Sequence, residues 1–242
     1  SFHSGYFDDY IFKPINEHDN DERIRIFINL TTFVDCLLLF GSSLETTAGT
    51  ITYNSDDALL KLSLEDSGIL TTCDISTLYM DNNEDIGYEL FSAFLSSNEL
   101  CQVILKSEIL KEAMHDLSDV YGATTVAIEI TKNPENLTFM TVGTMGECEI
   151  EFPRLSDLFV SFRCDKSSKW TYPLTSLQLG MKALNISKET FIRMNEEGVI
   201  CIQHQIETNR GHEIYIDYLM VSDVVNENIY DDNHYEDNDD DQ

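Results

Sequence analysis

Hydrophobic and polar positions alternate along this chain in two blocks that follow the same order of elements. The first block opens on a strand, Arg25-Ile26-Phe27-Ile28, after which Asn29-Leu30-Thr31 opens a helix from Thr32 to Phe40 and Gly41-Ser42-Ser43 stops it. Three strands follow, Thr50–Tyr53, Ala58–Leu64 and Ile69–Ile75, separated by the turn-rich stretches Asn54–Asp57 and Glu65–Gly68. The second block opens on Trp170–Thr175 and continues with a helix from Ser176 to about Leu184. It then runs through strands at Thr190–Met194, Val199–Ile206 and Glu213–Met220. Its turns are Asn195–Gly198 and Thr208–Gly211. Strand, helix and three-strand meander therefore occur twice, about 144 residues apart, and the repeated order predicts a duplicated α+β domain.

Between the blocks, Ile109, Leu110, Ala113, Met114 and Leu117 recur at helical spacing and predict a helix over Ser107–Val120 with one apolar face. Val126–Ile130 and Leu137–Val142 read as strands. Ser76–Ser96 carries Asp81-Asn82-Asn83-Glu84-Asp85 and no clear period, so it reads as a connector. The expected organisation is a first domain over 1–75, a connector over 76–98, a second domain over 99–222 and an acidic tail over 223–242.

Composition changes the picture in one respect. Apolar residues make up 42% and charged residues 24%, ordinary values for a globular protein, but the formal net charge is −29. The charge is unevenly spread: the last twenty positions carry nine acidic residues and no lysine or arginine, end Glu236-Asp237-Asn238-Asp239-Asp240-Asp241-Gln242, and lack the apolar surface to fold. No apolar run approaches the roughly 20 residues that a membrane helix needs, so no membrane partner is expected. Six cysteines carry no CxxC spacing and sit mostly among apolar neighbours, which suits a reducing compartment. Sequons at Asn29, Asn136 and Asn185 read as chance matches. The compartment expected is cytosol or nucleus.

Candidate chemistry is sparse. The histidines show no HExxH spacing, no glycine-rich phosphate loop is present, and there is no Gly-x-Ser-x-Gly elbow. No catalytic residue, metal site or cofactor is expected. Acidic pairs such as Asp56-Asp57 and Glu65-Asp66 could in principle hold Mg²⁺ for nuclease chemistry, but both fall in turns that favour acidic residues for local reasons. His204 reads as a hydrogen-bonded or solvated strand residue. Lys106 and Lys111 flank one helix start, Lys182 lies on the last helix, and Arg163, Lys166 and Lys169 share one expected loop. Together these suggest one basic surface facing a polyanion.

The run Ile28-Asn29-Leu30-Thr31-Thr32-Phe33-Val34-Asp35-Cys36-Leu37-Leu38-Leu39-Phe40-Gly41-Ser42-Ser43 closely resembles the matching helix of the Rad-one subunits of the nine-one-one checkpoint clamp. Ile104–Ala113 does so too, and Thr171–Val221 is also similar, more distantly, to proliferating cell nuclear antigen. The resemblance implies a sliding-clamp fold of two similar α+β domains, with helices lining a central hole, sheets outside and a connector crossing the outer face. It also implies a non-enzymatic subunit of a nuclear heterotrimer with the two other nine-one-one subunits. A clamp loader would place that ring around double-stranded DNA, where it recruits repair-enzyme and checkpoint-activator peptides. A 3′-to-5′ exonuclease and a homotrimeric replication clamp are the alternatives; a free acidic chaperone is a third reading.

Several residues take roles from the resemblance. Lys106, Lys111, His115 and Lys182 would face DNA. The positions held by Asp35, Leu38, Glu112 and Thr175 lack the basic residues of the replication clamp, so this subunit would contribute weakly to DNA holding. Ile69, Leu70, Thr71, Thr72, Cys73 and Ile75 would form one subunit edge, and Cys148, Glu149, Ile150 and Phe152 the other. Ile86, Tyr88, Leu90 and Phe91 would anchor the connector or line a client pocket. The repeat logic further predicts that the first domain is incomplete, with a helix and several strands, on the order of 60 residues, expected before Ser1. Phe33, Val34, Leu37 and Phe40 would pack against that layer.

Overall fold

The computed structural model describes residues 7–12, 26–39, 47–54, 56–78, 86–208 and 211–223. The chain divides into two units, Ser1–Asp85 and Ile86–Gln242.

In the first unit, helix α1 (Leu30–Leu37) begins where Asn29, held extended, accepts a hydrogen bond from the Thr32 backbone N–H at 3.0 Å. That cap satisfies one of the donors that a helix start leaves free. Strands β1 (Ala48–Asn54), β2 (Leu59–Asp66) and β3 (Ile69–Ser76) form an antiparallel meander in the order β1-β2-β3. Ser67 and Gly68 both adopt positive φ and form the two-residue turn between β2 and β3. Strict alternation puts Leu60, Leu62 and Leu64 on the buried face of β2, and Leu60 packs with Phe33 and Ile75. Of the strand expected at Arg25–Ile28, the described residues Ile26–Ile28 form a single bridge, Phe27 to Leu78. Phe40 and Gly41–Ser43 lie outside the described residues.

The second unit opens with helix α2 (Ile86–Ser96), followed by β4 (Glu99–Lys106) and α3 (Ser107–Ser118). Next come β5 (Thr125–Lys132), β6 (Glu135–Val142), β7 (Glu147–Pro153), β8 (Phe159–Cys164) and β9 (Ser168–Pro173). Helix α4 (Leu174–Gly180) runs into a 3-10 turn, Met181–Asn185, and β10 (Glu189–Asn195), β11 (Val199–Glu207) and β12 (Glu213–Val221) close the unit. One sheet has the order β12-β11-β10-β4-β8 and the other β7-β6-β5-β9. Helices α3 and α4 touch each other and both sheets. The core they share contains Leu105, Leu110, Ile128, Phe139, Leu177 and Ile192, all fully buried. Each such side chain removed from water stabilises the unit by roughly 1.5–3 kcal/mol.

Two expectations need correction here. The segment read as a periodless connector contains α2, because Leu90 and Phe94 stand one helical turn apart and share a face. Arg163, Lys166 and Lys169 do not share a loop: Arg163 lies on β8 and Lys169 on β9, with Lys166 between them. The tail beyond residue 223 lies outside the described residues.

Candidate subunit and nucleic-acid interfaces

The buried stripe of α3 is Leu110, Ala113, Met114 and Leu117, which leaves Glu108, Lys111, Glu112, His115 and Asp116 on its exposed face. Three carboxylates therefore stand against one lysine and one histidine, and His115 Nδ1 is 3.3 Å from Asp119 Oδ2. Lys106 is exposed immediately before α3, and Lys182 is exposed on the 3-10 turn beside it. The Gln178 side-chain amide donates to Ser118 Oγ at 3.0 Å and ties α4 to the end of α3. The four positions thus fall on neighbouring helical elements, but acids outnumber bases on α3, and a net negative face does not attract phosphates. In the first unit, α1 carries no basic residue, and Asp35 and Leu38 are exposed. Arg163 pairs with Glu99, and Lys169 sits 3.1 Å from Glu129, so those two cations are largely neutralised on strands.

Behind this face lies a buried polar chain. The His204 Nε2–H donates to the Gly180 carbonyl at 2.8 Å, so Nδ1 is an acceptor and takes the Thr190 Oγ1–H at 3.0 Å. Thr190 must then accept from Ser107 Oγ–H, and Ser107 from Ser187 Oγ–H, both at 2.8 Å. Four fully hydrogen-bonded groups pin the start of α3 and the end of α4 to β10 and β11. Burial holds the His204 imidazole below the usual histidine range, partly offset by the bond to Gly180.

Strand β3 bonds only to β2 and β7 only to β6 among the described residues, so each leaves one row of backbone groups open. Direction follows from register. The Ile69–Asp66 pair closes the two-residue turn, so alternation points the N–H groups of Leu70, Thr72 and Asp74 away from β2. The Gly143 N–H donates to the Gly146 carbonyl at 2.8 Å and closes the β6–β7 hairpin; from there the N–H groups of Glu147, Glu149 and Glu151 point away from β6. Pro153, which has no N–H, falls on the same outward phase. Ile75 and Phe152 turn inward and are buried, Thr71, Cys73, Cys148 and Ile150 are half-buried, and Ile69 and Leu70 are exposed at 61% and 67%.

Within the second unit, Phe94 of α2 is 4% exposed and packs with Leu90, Val199, Cys201 and Leu219. The Arg193 guanidinium lies over its ring at 5.4 Å. Asn195 bridges the two elements: its amide donates to Ser97 Oγ at 2.9 Å and its Oδ1 accepts from the Val199 N–H at 2.7 Å. A cavity of about 160 Å³ lies between them, lined by Leu90, Ala93, Phe94, Ser97, Glu197 and Val199. Leu90 and Phe91 are half-buried; the side chains of Ile86 and Tyr88 lie outside the described residues. Phe94, the main anchor, escaped the sequence reading, although its spacing from Leu90 was the available signal.

The two acidic pairs cannot serve one metal ion. Asp56-Asp57 precedes β2 and Glu65-Asp66 ends it, some 20 Å apart along an eight-residue strand. Asp57 Oδ2 accepts from the Asn54 amide at 3.3 Å and Asp66 Oδ1 from Ser67 Oγ at 3.2 Å, which is local turn chemistry.

The fold matches that of a solved sliding clamp, the PCNA of Thermococcus kodakaraensis, with a TM-score of 0.61 at 16% identity, covering 81% of this chain and 72% of that one. Two checkpoint proteins are similar in sequence. The mouse Cell cycle checkpoint protein RAD1 is 33% identical over 210 residues, 84% of this chain and 71% of its own length. Its human counterpart is 31% identical over the same share of this chain and 70% of its own length. The family described as Repair protein Rad1/Rec1/Rad17 matches residues 1–206, and the chain belongs to it.

Proposed function

We propose that this chain is a subunit of a DNA-damage checkpoint clamp, a non-enzymatic component that closes a ring around double-stranded DNA with two other subunits in the nucleus. A clamp loader would place the ring, and checkpoint activators and repair enzymes would dock on it, with the cavity beside α2 as one candidate seat for their apolar peptides. The observation that carries the reading is the pair of edges, β3 in one unit and β7 in the other, that stay open among the described residues, each with outward N–H groups able to extend a neighbour's sheet. The acidic face of α3 favours unlike partners over a ring of three copies, since three such faces would repel the duplex they surround. Weak holding by this subunit then leaves the positive field to its partners.

Co-expression with the two partner subunits tests this directly. The wild-type chain should elute as a one-to-one-to-one complex. Thr72→Pro and Glu149→Pro each delete an outward ladder donor and no backbone bond to β2 or β6, although the first also loses the Thr72 hydroxyl contact to Ser63 at 3.4 Å, and each should abolish that complex. Circular dichroism of the isolated variants checks that they still fold. Intact ternary complex with both variants would overturn the assignment.

A further inference from the structure

Cys101 on β4 and Cys164 on β8 stand directly opposite each other in the sheet, 63 positions apart in sequence, with their sulfurs 3.0 Å apart. We propose that they form a redox-active dithiol that hydrogen peroxide, or another two-electron oxidant of the peroxide class, converts to a disulfide stapling the edge strand β8 to β4.

The geometry suits the bond. Directly opposed residues of an antiparallel pair have Cα atoms about 4.5–5.5 Å apart, inside the range of about 4.4–6.8 Å that disulfides span. The sulfurs already sit closer than two unbonded sulfur atoms ordinarily rest, so closure needs a movement of about 1 Å and no rearrangement of either strand. The Lys166 carbonyl lies 3.2 and 3.4 Å from the two sulfurs and holds both at one place. Access is through the weaker side of the sheet. Among the described residues strand β8 bonds only to β4, and Cys164 is its last residue, 8% exposed and followed by the exposed Asp165 and Lys166.

The two thiols are not equivalent. The Cys164 thiol donates to the Cys101 sulfur, which, with a contact to Ser168 Oγ at 3.7 Å, holds the Cys101 thiol below its ordinary value despite burial. The same bond, with burial, pushes Cys164 up. Cys101 is therefore the nucleophile and Cys164 the resolving partner. The Cys101 thiolate attacks one peroxide oxygen and the O–O bond breaks, which gives a sulfenic acid and a hydroxide that leaves as water with the Cys101 proton. The Cys164 sulfur then displaces the sulfenic oxygen; the S–S bond forms, and a second water leaves with the Cys164 proton. Two thiols lose two electrons, and one peroxide becomes two waters.

The test uses the full chain treated with a modest excess of hydrogen peroxide, then alkylated in denaturant. Cleavage after glutamate isolates Leu100–Glu108 with Cys101 and Phe152–Glu189 with Cys164, each free of other cysteines. The expected result is a joined pair of these peptides, two hydrogens lighter than their sum, with two of the six thiols lost and restored by dithiothreitol. The thermal midpoint should rise by several degrees on oxidation and return on reduction. Cys164→Ser should abolish the joined peptide. A Cys36→Ser, Cys73→Ser variant should keep it, which separates this pair from the second close pair, Cys36 and Cys73. Cys101 and Cys164 both remaining alkylatable, or Cys101 ending as sulfinic acid without the cross-link, would overturn the proposal.

Discussion

The two units are built to one plan, yet they bury it to different depths. In the second unit, the helix before the meander sends Leu174, Leu177, Met181 and Leu184 into a core closed on another side by α3 and a second sheet. In the first, α1 buries only Phe33, and Leu30, Val34, Leu38 and Leu39 stay exposed among the described residues. Local sequence signals therefore set the elements equally well in both, whereas burial depends on what packs over the helix. The largest effect that should expose this difference is a truncation in each helix. Leu177→Ala, at a fully buried site, should cost about 2–5 kcal/mol by urea denaturation. Leu38→Ala, half in water, should cost no more than about 0.5 kcal/mol. Equal costs would show that the two helices are equally embedded.

The hairpin turns allow a second, somewhat smaller comparison. Gly198 follows β10 at φ +77°, and a Cβ there would meet the Trp170 ring at 2.5 Å and Ser222 Oγ at 2.7 Å. Gly68 follows β2 at φ +81° with nothing within 4 Å. Gly198→Ala should therefore cost about 2–4 kcal/mol, backbone strain plus displacement of the indole. Gly68→Ala should cost about 1–2 kcal/mol from strain alone. Thermal unfolding of the two variants decides it: similar losses would mean that Trp170 moves aside freely.

These contrasts also mark how far the sequence could be read. The meanders were legible because alternation and turn residues coincide: β11 and β12 lie within one residue of the segments read as Val199–Ile206 and Glu213–Met220. The roles given to the two candidate edges came from the family resemblance and not from any local pattern. Strand β4 was not, because Leu100, Cys101, Val103, Ile104 and Leu105 are apolar on both faces and give no period. Helix α2 was masked by the acidic run before it, and α4 began two residues earlier than read, directly after Pro173. The pairings of Arg163 with Glu99 and of Cys101 with Cys164 depend on the register of β4 against β8, which no local pattern carries.

Acid should separate the units as well. The described part of the first unit contains no histidine, whereas His204 is buried in the second. Its folded pKa lies below the unfolded value of about 6.5. Above that pH both states are neutral and the buried chain from Ser187 to Gly180 contributes fully. As pH falls below about 6.5 the unfolded chain takes up the proton first, so stability is lost through the window down to the folded pKa. Hydrogen exchange at pH 7 and pH 5.5 should show protection falling in β10 and β11 and holding, relative to carboxylate effects common to both units, in β2. His204→Gln should flatten that difference.

The smallest expected effects concern DNA, and they compare α1 and α3 in the ring proposed above. Neither face is basic: α1 offers Asp35 and Leu38, and α3 offers one lysine among three carboxylates. Lys111→Ala and Lys182→Ala, in a ring held on a duplex with both ends blocked, should each lower the salt dependence of retention by no more than about one phosphate contact. Glu112→Lys should act in the opposite sense and more strongly, because it removes a repulsion and adds an attraction at one position. Leu38→Lys adds an attraction without removing a repulsion, so its gain should fall between these. Retention times measured across a salt series give the slopes. A drop of several contacts on losing Lys182 alone would mean that this subunit, rather than its partners, carries the positive field.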